Sequence, residues 1–233
     1  MDWLERLAAA PADLAAKHLI AQSTKDFFGY GPKGRAVVAV QGDLVVFATE
    51  LTGPGILTAL QQQPFGRLAL HYVSDLYRRQ AAADLAAFAT ARYGVGIGAL
   101  LSDIDLGGPV GYTLGIARLD RALPPPARPA PAPLAATLRA ALQQAAGGRV
   151  QPGEVTLGPA LLALRATPLP LPAAGATDAA ALDTAAALQA WDDFHCAWRP
   201  ALSQALAAAG YRHGPVFLAQ DERELITGTL LER

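Results

Sequence analysis

One cysteine, Cys196, is the whole cysteine content of this 233-residue chain. That excludes an intrachain disulfide framework and any multi-cysteine metal cluster. Charge is also scarce. Only 17% of residues are charged, and 19 Lys and Arg against 20 Asp and Glu leave a net charge of −1. A nucleic-acid binder shows a basic stripe or a basic domain, and no such stripe stands here. Long apolar runs are missing too. The stretches Val37 to Val40 and Leu44 to Ala48 are split by Gln41-Gly42-Asp43, far short of the roughly 18–20 residues that span a bilayer. Met1-Asp2-Trp3-Leu4-Glu5-Arg6 lacks a basic segment followed by an apolar core, so no secretory signal is expected. The expected location is the cytoplasm, with partners recruiting the chain wherever it works at a membrane.

What is present is alanine and leucine, which favour helices, together with 22 glycines and 18 prolines. Shifted by 118 residues, the sequence aligns with itself without a gap over about seventy-five positions. Gly29 falls on Gly147, Val37 on Val155, Leu44 on Leu162 and Thr49 on Thr167. Leu70 meets Leu188, Asp75 meets Asp193, Tyr93 meets Tyr211, Leu100 meets Leu218 and Asp103 meets Asp221. These matches share one offset and recur at equivalent points of the predicted elements.

Leu14 to Phe28 has helical apolar spacing and stops at Gly29. Ala36 to Val40 and Leu44 to Leu51 read as a hairpin around a tight turn at Gln41-Gly42-Asp43. Gly66 to Arg92 reads as a long helix. Ile97 to Ser102 and Val110 to Leu119 read as a second hairpin, with Asp103 to Pro109 as its turn. The second half repeats this order. A helix over Leu134 to Ala146 precedes strands at Glu154 to Leu157 and Ala160 to Thr167. A helix over Asp183 to Ala209 then precedes strands at Val216 to Ala219 and Leu225 to Leu231. Pro200 is expected to kink or split that last helix.

The fold class predicted is α+β: two tandem, pseudo-symmetric αββαββ units with antiparallel sheets packed against helices. The first unit takes residues 1–122 and the second, more degenerate one residues 134–233. Residues 123–133 link them, with six prolines between Pro124 and Pro133 that favour an extended polyproline spacer. Apolar runs that do not alternate, such as Leu161-Leu162-Ala163-Leu164, predict sheets buried on both faces. That suits an intramolecular pseudo-dimer and leaves a further homodimer open.

Asp26-Phe27-Phe28-Gly29-Tyr30-Gly31-Pro32-Lys33, then Asp43-Leu44-Val45-Val46, Leu51-Thr52-Gly53-Pro54 and Leu101-Ser102-Asp103-Ile104-Asp105, resemble the MpsC family over Leu14 to Asp120. The family pattern has arginine where Tyr30 stands. It has an acidic residue soon after the Leu-Thr-x-Pro motif, where this chain has Gly55-Ile56. Arg149-Val150 replaces Gly31-Pro32 in the second half. The family belongs to a Na⁺-translocating, membrane-potential-generating system. The resemblance implies a link to ion transport through protein partners, including a membrane complex, and implies no reaction.

Gly29, Gly31, Lys33, Gly34 and Arg35 form the most suggestive loop, since successive backbone N–H groups and two cations suit an anion. The plainer reading of the same loop is a helix stop whose glycines supply positive φ. Arg78 and Arg79 offer a partner-binding or solvated helix face. Asp103 and Asp105 beside Ser102 are too few for a cation site and suit a turn. His195 and Cys196 are adjacent on a helix and point about 100° apart, so they cannot form a dyad. Trp191, Phe194 and Trp198 there suit core packing. His18, His71 and His213 lack metal-ligand spacing, so no metal is expected, and the sequence names no cofactor. Acid, base and nucleophile cannot be assembled. The expectation is therefore an accessory or regulatory protein rather than an enzyme, with an anion-binding module at residues 29–35 as the alternative.

Overall fold

Alanine-rich segments form the long helices in the computed structural model, which describes residues 36–51, 59, 66–105, 111–124, 126–169 and 178–232. The expected helix over Leu14 to Phe28 and the loop from Gly29 to Arg35 lie outside the described residues. The architecture is mixed α+β with two antiparallel sheets. The chain divides into two compact units, Met1–Ala127 and Arg128–Arg233.

In the first unit, strand β1 (Ala36–Leu51) precedes helix α1 (Gly66–Tyr93), strand β2 (Ile97–Asp105) and strand β3 (Gly111–Leu123). The sheet order is β1-β3-β2. The expected first hairpin is one extended element here. Gly42 takes φ +61 at the expected turn position, and the register against β3 jumps between Gly42 and Leu44. The break therefore falls where the sequence puts it, but extended structure continues through it.

The second hairpin differs more. β2 runs on through Asp103 and Asp105, which pair with Leu114 and Tyr112 instead of forming a turn. Residues directly opposite in an antiparallel pair share a face. Phe47, Ala117 and Leu100 thus lie on one face and pack on Ala81 and Leu85 of α1. Val46, Ala48, Leu101, Asp103, Leu114 and Ile116 lie on the other, and all are buried. Asp103 and Asp105 alternate with apolar neighbours, and strand pairing overrides their turn preference. Arg121 donates from Nη2 to the carbonyl of Gly94 at 2.9 Å, closing the C-terminal end of α1 with a cation.

Gly115 faces Phe47 across β3 and β1. A Cβ there would lie 1.9 Å from Phe47 Cζ, so the ring occupies the space that the missing side chain leaves. Gly115→Ala is expected to destabilise by about 2–3 kcal/mol through overpacking. Most of that penalty should vanish in a Phe47→Ala background, as a double-mutant cycle by urea denaturation would read. An unchanged penalty would refute the proposed contact.

The second unit runs α2 (Ala132–Ala145), β4 (Pro152–Leu157), β5 (Leu161–Ala166), α3 (Asp178–Ala208), β6 (His213–Gln220) and β7 (Leu225–Leu231). Its sheet order is β4-β5-β7-β6. Leu134, Leu138 and Leu142 form the inner stripe of α2, and Trp191, Phe194, Trp198, Leu202 and Leu206 that of α3. Both stripes repeat at three and four residues. They pack against Val155, Leu162, Leu164, Val216 and Leu218 of the sheet. The opposite sheet face, with Leu161, Ala163, Phe217, Ala219 and Ile226, is buried as well.

The end of the proline-rich segment, from Arg128 to Ala130, is docked onto this unit, with Pro129 bridged to Thr156. Ala130 N–H donates to the Val155 carbonyl at 2.9 Å, and Leu157 N–H to that of Arg128 at 2.8 Å. Pro133 falls in the first turn of α2, where its missing N–H costs nothing. Gly147 and Gly148 end that helix at φ +59 and +76. Pro200 does not split α3, which runs unbroken through it. Pro200 and Cys196, four residues before it, are both exposed. The carbonyl deprived of its partner is on the wet side of the helix.

Candidate functional site

An apolar opening of the first unit is beneath α1. Strand alternation puts Val45, Phe47, Ala117 and Leu119 on one sheet face, and Leu85, Phe88, Ala89 and Tyr93 fall on one side of the helix. Between them is a cavity of about 40 Å³, lined by these residues together with Val38, Ile97 and Leu123. The rings of Phe88 and Tyr93 meet edge to face, with centroids 5.9 Å apart, a favoured aromatic geometry. Apart from the Tyr93 phenol, every lining side chain is a hydrocarbon. The cavity has room for the end of one apolar side chain and offers no built polar cage. Val37 and Leu76 are exposed large apolar residues of this unit.

The polar groups of the same unit are elsewhere. Thr49 and Thr113 face each other across β1 and β3. Their hydroxyls are buried with no hydrogen-bond partner among the described residues, as is the side-chain amide of Gln41. The two threonines are toward the sheet end away from the cavity. Asp103 and Asp105 are buried on the face turned away from α1, and Asp103 Oδ1 accepts from the Ile104 amide at 2.8 Å. The fold therefore separates the carboxylates from the apolar cavity.

Of the residues picked from sequence, Gly29, Gly31, Lys33, Gly34 and Arg35 lie outside the described residues. Arg78 and Arg79 are on α1. Arg79 is exposed, and the Arg78 side chain is outside the described set. In the second unit Cys196 is exposed, while His195 is half-buried with its ring 5.5 Å from that of Trp191. Arg199 Nε donates to His195 Nδ1 at 3.2 Å. Trp191, Phe194 and Trp198 are buried in the core. His195 thus turns to Arg199 and Trp191, one helical turn away on either side, and Cys196 points to solvent. Among the described residues no three His, Cys, Asp or Glu side chains gather as metal ligands.

Sequence reasoning missed the cavity. Its one sequence signal is the aromatic Tyr93 just past the helix predicted over Gly66 to Arg92. The chain matches no family model, no curated protein and no solved structure. Among the described residues no helix is long and apolar enough to cross a membrane.

Proposed function

We propose that this chain is a non-catalytic accessory or regulatory protein that works by docking protein partners. The MpsC resemblance points to partners in membrane energetics or ion transport. The observation that carries the reading is the apolar cavity under α1, with Phe88, Tyr93 and Leu123 among its lining residues. Concave apolar surface with aromatic edges is the form that receives an anchoring side chain from another protein. The reading includes tandem duplication. In its favour, Leu44 and Leu162, and likewise Leu100 and Leu218, are buried strand residues at the 118-residue offset.

A photo-crosslinking benzophenone in place of Phe88 tests the docking reading on the full chain. Incubated with the membrane fraction of its native cell, it is expected to yield a discrete adduct with a membrane protein. Ala89→Phe fills the cavity and should cut that yield about tenfold, for a fold cost of about 1–3 kcal/mol that circular dichroism would monitor. An equal yield with the filled cavity, or no adduct above a surface-placed control, would sink the reading.

A further inference from the structure

β4 opens on Pro152-Gly153, and its register against β5 shifts between the pairs Pro152↔Ala166 and Val155↔Leu164. Gly153 and Glu154 thus oppose the single residue Arg165, which makes a β-bulge. A Cβ on Gly153 would stand 3.1 Å from the Arg165 carbonyl oxygen, tight enough that glycine suits the bulge. The surroundings pin it. Gln151 N–H donates to Thr167 Oγ1 at 2.7 Å. Thr167 N–H returns a bond to the Gln151 carbonyl at 3.0 Å. From α2, Arg139 Nε donates to the Gly153 carbonyl at 2.8 Å.

Beside this bulge a cleft of about 400 Å³ opens, with Gln151, Pro152, Gly153, Arg165, Thr167 and Arg223 around it. Two of these are arginines and none is acidic. Glu224 fixes Arg165 through a 3.4 Å contact to Nη1. Arg223 is on the β6–β7 turn, and that turn is itself held. Asp221 Oδ1 accepts from the amides of Arg223 at 2.8 Å and Glu224 at 3.0 Å. The Arg223 side chain is exposed and makes no ion pair among the described residues.

Two guanidinium groups on rigid backbone, beside a cleft with no lining carboxylate, suit a planar or tetrahedral oxyanion, which takes forked N–H donors. Thr167 Oγ1 accepts from the Gln151 amide, and its own proton remains to donate. We propose that this cleft binds the phosphate or carboxylate group of a small molecule, with Arg223 as the principal donor and the Glu224-held Arg165 adding positive charge beside it. The site is entirely in the second unit and stands apart from the partner-docking reading.

Amide NMR titration of the full chain at constant ionic strength tests it, with inorganic phosphate, succinate and chloride as separate arms. Saturable shifts at Gln151, Gly153 and Thr167 are expected with phosphate or succinate and not with chloride. The tighter of the two arms identifies the group. Arg223→Gln should weaken that affinity about tenfold, whereas Arg212→Gln, which removes a surface arginine paired with Glu232 at 3.3 Å, should leave it unchanged. Arg165→Gln also breaks the pair with Glu224, so Arg223→Gln carries the decision. Shifts equal in chloride, shifts scattered away from the cleft, no shift in any arm, or an affinity unchanged by Arg223→Gln would overturn the proposal.

Discussion

Gly228→Ala is expected to abolish the folded second unit under ordinary conditions. Gly228 sits in β7, opposite Ala163 of β5 and Phe217 of β6. A Cβ at this position would lie 2.0 Å from the Leu162 carbonyl oxygen, 2.9 Å from Phe217 Cζ and 3.0 Å from Ala163 Cα. Two of those three atoms are backbone, in a strand paired on both edges. Relief requires pulling β7 away from β5 and breaking the ladder. The cost should exceed about 4 kcal/mol, comparable with the whole stability of many domains, about 5–15 kcal/mol. The corresponding clash at Gly115 is with the end of a side chain, so it costs less. Amide exchange across β5 and β7 would read the difference. Native-like protection in the alanine variant would refute the clash.

How far the sequence predicts this structure depends on whether a feature is local. α2 and α3, the β4–β5 and β6–β7 hairpins and the stops at Gly147 and Gly148 all follow from apolar periodicity and punctuation within a few residues. Asp103 and Asp105 were misread because turn preference is local, whereas their strand pairing is with Leu114 and Tyr112 across the hairpin. Pro200 looked like a helix breaker. Burial of Trp198 and Leu202 on either side of it holds the helix together, and an exposed position makes the lost hydrogen bond tolerable. The two openings were invisible for the same reason. Phe88 and Leu123 line one cavity only because α1 packs on the sheet, and Arg165 and Arg223 line one cleft only because β5 and β7 are neighbours. The sequence marked loops with glycine and lysine as sites, yet the arginine-lined cleft has a single glycine, at a bulge that no local pattern announces.

The second large effect is expected at Trp198, which ties α3 to the sheet. Its indole is fully buried, and its Nε1–H donates to Thr227 Oγ1 on β7. Thr227 Oγ1 in turn donates to the Phe217 carbonyl at 2.7 Å. Helix, central strand and edge strand are thereby joined through one hydroxyl. Trp198→Ala removes the ring and leaves a large cavity in the core cluster that also holds Leu138, Leu202 and Leu218, for an expected loss of about 4 kcal/mol. Trp198→Phe keeps most of the apolar area and loses the N–H, while Thr227 retains its bond to Phe217, so about 1–2 kcal/mol is expected. Thr227→Val strands both the indole N–H and the carbonyl, and should cost about 2–3 kcal/mol. The order Ala > Val > Phe in urea denaturation is the signature of a relay. Equal losses from Trp198→Phe and Trp198→Ala would mean that the hydrogen bond, not packing, dominates. At temperatures where Trp198→Phe stays folded, its phosphate affinity should stay within about twofold of the parent. The cleft is held by the Gln151–Thr167 pair and the Asp221 turn, neither of which touches the indole. A larger change would show that α3 packing reaches the Arg223 turn through β7.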